Sequence, residues 1–228
     1  MHFELIAPIG IAFLCTLYIL PYWIKRAKQS GLTGKDMHKL NSPTVANLGG
    51  VPVIIGFLIA VMFYIGMETF WFKQTSKNLE MMAAISTILI TTIFAFIDDI
   101  LGWKIGIKQW QKPIIILLAA LPLAVVNSGQ SIIALPFIGL LNLGILFPIV
   151  LIPIAVTGTS NGFNMLAGYN GLEAGMGILL LTTMGFVAWL NKASWVTMMA
   201  LCMVAALIAF YIFNKHPAKV FPGNILTY

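Results

Sequence analysis

Long uninterrupted apolar segments constrain the fold of this chain more than any other feature of its sequence. Several of them approach or reach the roughly 20 apolar residues that a helix needs to cross a bilayer. Of the 228 residues, 60% are apolar and only 9% are charged, whereas about one quarter of a soluble domain is charged. These values exclude a water-soluble enzyme and a disordered chain. The sequence therefore predicts an integral membrane protein.

The apolar segments predict an all-α polytopic protein with about seven transmembrane helices. The first span has no basic stretch or cleavage signal before it, which favours a retained helix over a signal peptide. Turn-forming residues at 135–144 predict a small extracytoplasmic hairpin near 132–145. The predicted spans are 3–24, 50–70, 81–97, 113–126, 146–162, 171–190 and 195–213.

The distribution of basic residues predicts the orientation in the membrane. Seven spans place ten of the 13 Lys and Arg residues on one side, which the positive-inside rule assigns to the cytoplasm. The N-terminus is then outside, and the net charge of +6 indicates basic cytoplasmic loops and no nucleic acid partner. Cys15 and Cys202 lie in apolar segments, so no disulfide or cysteine metal site is expected. The predicted cytoplasmic loops are about 25–49, 98–112, 157–171 and 214–228.

Two adjacent carboxylates, Asp98 and Asp99, follow the third apolar segment. Adjacent carboxylates repel each other unless a cation lies near them. One interpretation is a hydrated helix end; the other is a site for a divalent cation or a phosphate-bearing substrate. Three lysines follow within fourteen residues and support the second interpretation: Lys104, Lys108 and Lys112.

A second polar segment, at 157–175, combines several glycines with three asparagines and Glu173. Close helix packing through small residues would explain the glycines but not the polar side chains. Because polar groups inside a membrane are functional by default, a ligand site is favoured. A third segment, 216–224, is a basic turn that carries Phe221, and an interfacial loop with an anchoring ring is its alternative interpretation.

Together these segments resemble the polyprenyl-phosphate N-acetylhexosamine-1-phosphate transferases, most closely the dolichyl-phosphate GlcNAc-1-phosphotransferase branch of eukaryotes and archaea. The resemblance rests on Phe-Ile-Asp-Asp at 96–99, on 161–175 and on 216–224. The first cytoplasmic loop, with Gly-Lys-Asp-Met at 34–37, also resembles the family. The motif Ala-Gly-Tyr-Asn-Gly-Leu-Glu indicates the dolichyl-phosphate branch, because the bacterial cell-wall and O-antigen branches usually have Asp-Gly in place of Asn-Gly.

The resemblance implies a reaction: GlcNAc-1-phosphate passes from UDP-GlcNAc to a polyprenyl (dolichyl) phosphate, giving polyprenyl-pyrophosphate-GlcNAc and UMP. This is the first step of lipid-linked oligosaccharide synthesis for N-glycosylation. It further implies Mg²⁺, with Mn²⁺ as a substitute, an active site facing the cytoplasm, and a homodimer by analogy. The membrane is the plasma membrane in an archaeon or the endoplasmic reticulum in a eukaryote. Residues 1–228 are expected to form one integral-membrane transferase domain, the N-terminal part of a longer family domain.

The resemblance also implies roles for individual residues. Asn164 and Asn224 match metal ligands, and Lys108 matches a lysine that meets the lipid phosphate. Asp98 and Asp99 match the catalytic acid pair. The remaining candidates are Asn161, the other amide of the motif, then Gly168 and Asn170 for the uracil, Phe221 for stacking on it, and Glu173, Lys35 and Met37 for substrate binding.

One position departs from the family pattern, and two other functions also stay open. At that position, where the family has Phe-x-Gly-Asp, this chain has Asn224, so a neutral amide replaces an anionic metal ligand. A sister transferase using another UDP-sugar or undecaprenyl phosphate is one alternative. A transporter or lipid-binding protein is the other, although transporters place their sites near the midplane, usually between repeats.

Overall fold

A computed structural model describes residues 6–37, 39 and 41–228, without the side chains of 103–105. Residues 3–5 of the first predicted span and the side chain of Lys104 lie outside this description. Nine α-helices and four short strands occur in the described ranges. There are also two π-helical turns. Met67–Trp71 directly follows α2, and Phe147–Leu151 directly precedes α6. The helices are α1 (Ile6–Gln29), α2 (Gly50–Gly66), α3 (Asn78–Ile105), α4 (Gln111–Ala119), α5 (Leu121–Val126), α6 (Ile152–Met165), α7 (Leu172–Leu190), α8 (Ser194–Asn214) and α9 (Asn224–Thr227), and the strands are β1 (Thr33–Lys35), β2 (Thr44–Ala46), β3 (Ile132–Leu135) and β4 (Gly139–Asn142).

This architecture confirms the predicted all-α polytopic membrane protein. Five helical segments of the described chain are long and apolar enough to cross a bilayer: Ile6–Gln29, Gly50–Trp71, Asn78–Gly102, Leu172–Leu190 and Ser194–Asn214. The apolar segment Gln111–Val126 is shorter, and α6 begins only after a π-helical turn. The count of seven spans therefore stays a prediction.

The helices extend further than the apolar segments that predicted them. α1 continues to Gln29, α3 to Ile105 and α6 to Met165, inside the segments predicted as cytoplasmic loops. The reason is that backbone hydrogen bonding continues through polar residues, whereas hydropathy marks only the part that suits lipid. The assignment of these segments to the cytoplasm stays a prediction, because a helix can extend beyond the membrane.

One compact unit consists of residues 1–75 and 166–227. In it, α8 packs against α1, α2 and α7, and the antiparallel hairpin β1–β2 lies beside α1. α1 and α2 approach closely because Gly56 faces the buried Thr16, whose hydroxyl oxygen occupies the space that a Cβ at 56 would need. Small residues at such crossings are typical of helix packing in membranes.

A second compact unit consists of residues 76–165 with Tyr228. Its helices are α3 to α6, with α4 packed against α3 and α6, and α5 packed against α3. The predicted hairpin near 132–145 is present as the antiparallel pair β3–β4, in which Ile132 lies opposite Asn142. The chain that the sequence predicts as one domain thus contains two compact units.

Candidate functional site

The loop between α6 and α7, residues 166–171, contains two of the predicted uracil-reading residues, Gly168 and Asn170. The loop turns through two glycines with positive φ, Gly168 at 148° and Gly171 at 81°, a backbone region that favours glycine. Three buried polar side chains from outside the loop bind it: Asp36, Glu173 and Asn214. Side chains from separate elements therefore determine the conformation of this loop.

Glu173 binds the loop from the first turn of α7. Its Oε1 accepts a 2.7 Å hydrogen bond from the backbone N–H of Gly168, and only 6% of the residue is exposed. A carboxylate in a first turn is also stabilised by the helix dipole. The second oxygen, Oε2, is buried and has no hydrogen-bond partner among the described residues. Glu173 thus stabilises the conformation of the loop, while its contact with the substrate stays a prediction.

Asn214, the last residue of α8, connects the loop to the segment that carries Phe221. Its Oδ1 accepts a hydrogen bond from the N–H of Gly171 at 3.1 Å, and its Nδ2 donates to the carbonyl of Val220 at 2.9 Å. The residue is 1% exposed. Asn214 was not predicted as a site residue; a lone amide at the end of an otherwise apolar helix is the sequence signal that could have identified it.

Asp36, just after β1, also binds the loop. It lies N-terminal to the loop in the chain, whereas Glu173 and Asn214 lie C-terminal to it. Its Oδ2 accepts a hydrogen bond from Nδ2 of Asn170 at 3.0 Å and forms an ion pair with Nζ of Lys39 at 2.8 Å. Asp36 is 2% exposed, although the sequence places it in a polar segment. Asp36 is part of the motif at 34–37 but was not predicted as a site residue. The predicted substrate residues Lys35 and Met37, which flank it, are exposed.

Phe221 is fixed by backbone pairing. Its N–H donates to the carbonyl of Ala46 in β2, and its carbonyl accepts from the N–H of Gly49, both at 2.8 Å. The ring lies against Gly34, where a Cβ would meet its edge at 3.2 Å. The hairpin β1–β2 and the start of α2 therefore hold the predicted stacking ring.

Replacing Gly49 with alanine is expected to destabilise the protein. A Cβ there would meet Phe210 at 2.5 Å, Val220 at 2.7 Å and the carbonyl of Phe221 at 2.9 Å. Overpacking of this kind costs about 1–3 kcal/mol. The measurement is the apparent Tm in detergent. The matched control is Gly66→Ala in α2, where nothing lies within 4 Å of the new Cβ; an equal loss in both variants would contradict the argument.

Asp98 lies inside α3, and the chain beyond it folds back on its side chain. The helical backbone is interrupted at Gly102, whose φ is 68°, and the N–H of Ile107 then donates to Oδ1 of Asp98 at 2.8 Å. Nζ of Lys112 binds Oδ2 at 2.7 Å. Asp98 is 7% exposed, so both of its oxygens bind protein groups in a buried setting. This differs from the hydrated helix end that one interpretation of the sequence expected.

Tyr228 completes the surroundings of Lys112. The ammonium lies 5.9 Å from the centre of the tyrosine ring, within cation–π range, and the carbonyl of Tyr228 accepts a 2.9 Å hydrogen bond from the hydroxyl of Ser160. Burial raises the pKa of the Tyr228 phenol, so the ring is neutral at pH 7. Asn161, next to Ser160, donates to the carbonyl of Thr157 at 2.9 Å.

The predicted site residues fall into both units. Gly168, Asn170, Glu173 and Phe221 belong to the first unit, where the loop and the hairpin hold them. The second unit contains Asp98 and Asp99, with Lys108 exposed in the turn before α4 and Asn161 and Asn164 half-buried on α6. The proposed metal ligands divide the same way, because Asn164 belongs to the second unit and Asn224 to the first.

The donor set suits Mg²⁺ in its chemistry, since carboxylate and amide oxygens are the protein ligands this ion prefers. Within the described residues, no group of three or more His, Cys, Asp or Glu side chains could hold a metal ion by itself. Mg²⁺ usually keeps several waters and binds through one or two carboxylates and substrate phosphates, so a sparse protein donor set is compatible with it.

Comparison with known proteins identifies the family. Residues 81–228 match the description "Glycosyl transferase family 4". A Saccharolobus solfataricus protein provisionally named UDP-N-acetylglucosamine–dolichyl-phosphate N-acetylglucosaminephosphotransferase is 37% identical over 98% of this chain and 67% of its own length. A Sulfolobus acidocaldarius protein with the same name is 34% identical over 96% and 65%. A Lactobacillus gasseri phospho-N-acetylmuramoyl-pentapeptide-transferase is 30% identical over 98% and 72%. The chain spans about two thirds of the length of these relatives, and it belongs to glycosyl transferase family 4.

Proposed function

We propose that this protein transfers GlcNAc-1-phosphate from UDP-GlcNAc to dolichyl phosphate, giving dolichyl-pyrophosphate-GlcNAc and UMP. The observation that carries the proposal is the loop 166–171, which contains the candidate base-reading residues and is held by three buried polar side chains. Such bracing is what a preformed site for a polar ligand requires. The names of the two archaeal relatives support this donor and acceptor.

The proposed reaction asks for positioning and charge neutralisation more than for covalent help. An oxygen of the lipid phosphate attacks the phosphorus bonded to the sugar, the bond from that phosphorus to the bridging oxygen breaks, and UMP leaves with the bond's electron pair. A phosphate monoester has a second pKa near ~6 and is largely dianionic at pH 7, so the nucleophile carries its own charge. The reaction therefore does not require Asp98 to act as a base.

The residues of the chain contribute separately to this chemistry. Lys108 is exposed and offers a cation for the lipid phosphate. Gly168 and Asn170 are the proposed contacts of the uracil, and Phe221 is its proposed stacking ring. Asn164 in the second unit and Asn224 in the first are each proposed as a ligand of Mg²⁺, which when bound neutralises charge on the pyrophosphate. Asp98 binds Lys112 and Ile107, so we assign it a positioning role in the second unit.

The test is UMP release by membranes containing the chain, supplied with UDP-GlcNAc and dolichyl phosphate over a range of Mg²⁺ concentrations. Mg²⁺-dependent release of UMP with formation of the lipid product is the expected result. In Asn224→Asp we expect half-maximal activity at about tenfold less Mg²⁺, because a carboxylate adds a negative charge to the ligand set.

Two outcomes would contradict the proposal. UMP release at the same rate with and without dolichyl phosphate would show hydrolysis and not transfer. Release with a UDP-linked N-acetylmuramoyl pentapeptide and none with UDP-GlcNAc would favour the activity named for the bacterial relatives. An unchanged Mg²⁺ dependence in Asn224→Asp would remove residue 224 from the metal site and leave the reaction itself in place.

A further inference from the structure

The side-chain amide of Asn170 is held in one orientation by Asp36. Nδ2 of Asn170 donates to Oδ2 of Asp36 at 3.0 Å, within the first compact unit. Asp36 is itself fixed, because its N–H donates to the carbonyl of Pro43 at 3.0 Å and its side chain is 1% exposed. The carboxylate that binds Asn170 therefore lies where the hairpin β1–β2 meets its connecting loop, next to the last strand pair, Lys35 and Thr44.

The ion pair with Lys39 determines which end of the amide faces Asp36. Nζ of Lys39 lies 2.8 Å from the same Oδ2, and its side chain is only 20% exposed. A carboxylate paired with an ammonium is ionised, and an ionised carboxylate only accepts hydrogen bonds. It can bind the NH₂ end of the Asn170 amide but not the carbonyl end. The carbonyl oxygen Oδ1 is thereby turned away from Asp36 as an acceptor.

We propose that Asp36 is a positioning residue that sets pyrimidine selectivity, by presenting Oδ1 of Asn170 as an acceptor for the N3–H of uracil. This inference rests on the proposed function, in which Asn170 contacts the base. Uracil carries a donor at N3, whereas cytosine carries an acceptor there. The fixed carbonyl of Asn170 accepts a hydrogen bond from N3–H of uracil, but with cytosine it faces the acceptor N3 and both groups stay unpaired. Binding sites reject ligands of similar shape in this way, because unpaired polar groups cost binding energy.

The experiment measures UMP and CMP dissociation constants for the purified full chain in detergent. The variants are Asp36→Asn, Asn170→Ala and the double variant. The wild type is expected to prefer UMP by about ten- to a hundredfold, the range expected for one mismatched hydrogen bond in a half-buried site. In Asp36→Asn the preference falls below about threefold, because the new amide can donate to Oδ1 and let the Asn170 amide turn over. Asn170→Ala shows the same loss, and Asp36→Asn adds nothing to it.

Glu80→Gln is the matched control. Glu80 pairs with Lys77 three residues away at 2.7 Å, the spacing of the pair between Asp36 and Lys39, but this pair is solvent-exposed. The same change from carboxylate to amide there should leave the ratio of UMP to CMP affinity at the wild-type value. A changed ratio in Glu80→Gln would overturn the assignment of selectivity to Asp36.

The outcomes separate this inference from the function on which it rests. If Asp36→Asn keeps the wild-type ratio, or weakens UMP and CMP equally, Asp36 is structural only and the inference is wrong while the proposed function stands. If the wild type binds neither nucleotide, the proposed function fails and the inference fails with it. Should Asp36→Asn not fold, Asp36→Ser takes its place; its hydroxyl can donate or accept, so the same loss of preference is expected.

Discussion

Replacing Lys112 with methionine is expected to lower the apparent Tm of the protein by about 10 °C, because it leaves the buried carboxylate of Asp98 without its counter-ion. The pair measures 2.7 Å, with 14% of the lysine side chain and 7% of the aspartate side chain exposed. Breaking a buried pair from one side costs about 3–5 kcal/mol, and about 2–4 °C accompanies each kcal/mol in a chain of this size. The measurement is thermal unfolding in detergent.

A double variant and an exposed pair make this prediction specific. Adding Asp98→Asn to Lys112→Met removes the uncompensated charge, so the double variant should be more stable than the sum of the two single losses predicts. Lys77→Met, which breaks the exposed pair with Glu80, should change the Tm by no more than about 2 °C. Equal losses in Lys112→Met and Lys77→Met would show that burial of the Asp98 pair has no energetic consequence.

Replacing Asn214 with alanine is expected to weaken UMP binding by at least about tenfold and to lower stability by about 2–4 kcal/mol. The change leaves the N–H of Gly171 and the carbonyl of Val220 without their partner, in a setting where the side chain was 1% exposed. Each unsatisfied buried group costs about 1–3 kcal/mol. UMP affinity should fall because the loop 166–171 and the segment leading to Phe221 both lose their connection.

The control for Asn214→Ala is Asn191→Ala at the end of α7. Asn191 is exposed, and its amide makes only a local hydrogen bond to the carbonyl of Val187. The same chemical change should leave UMP affinity unchanged and stability within about 0.5 kcal/mol, as at most surface positions. UMP affinity in Asn214→Ala at the wild-type level would show that the loop keeps its conformation without this amide.

Local features predicted most of the helical architecture. Apolar length predicted the positions of the long helices, and turn-forming residues predicted the hairpin β3–β4. The helix ends were less accurate, since α3 continues through Asp98 to Ile105. Hydropathy marks where a segment suits lipid, whereas a helix ends where its backbone hydrogen bonds end, here after the break at Gly102.

The sequence by itself determined the membrane character, the family motifs and the identity of the candidate site residues, because each depends on residues close together in the chain. Only the tertiary structure decided which side chains hold the site. Asn170 donates a hydrogen bond to Asp36, 134 residues away in the sequence, and Gly171 donates one to Asn214, 43 residues away. Asp98 binds Lys112 only because the chain turns back at Gly102. Such pairs arise when packing excludes water and buried polar groups must find partners, a requirement that leaves no periodic pattern in the sequence.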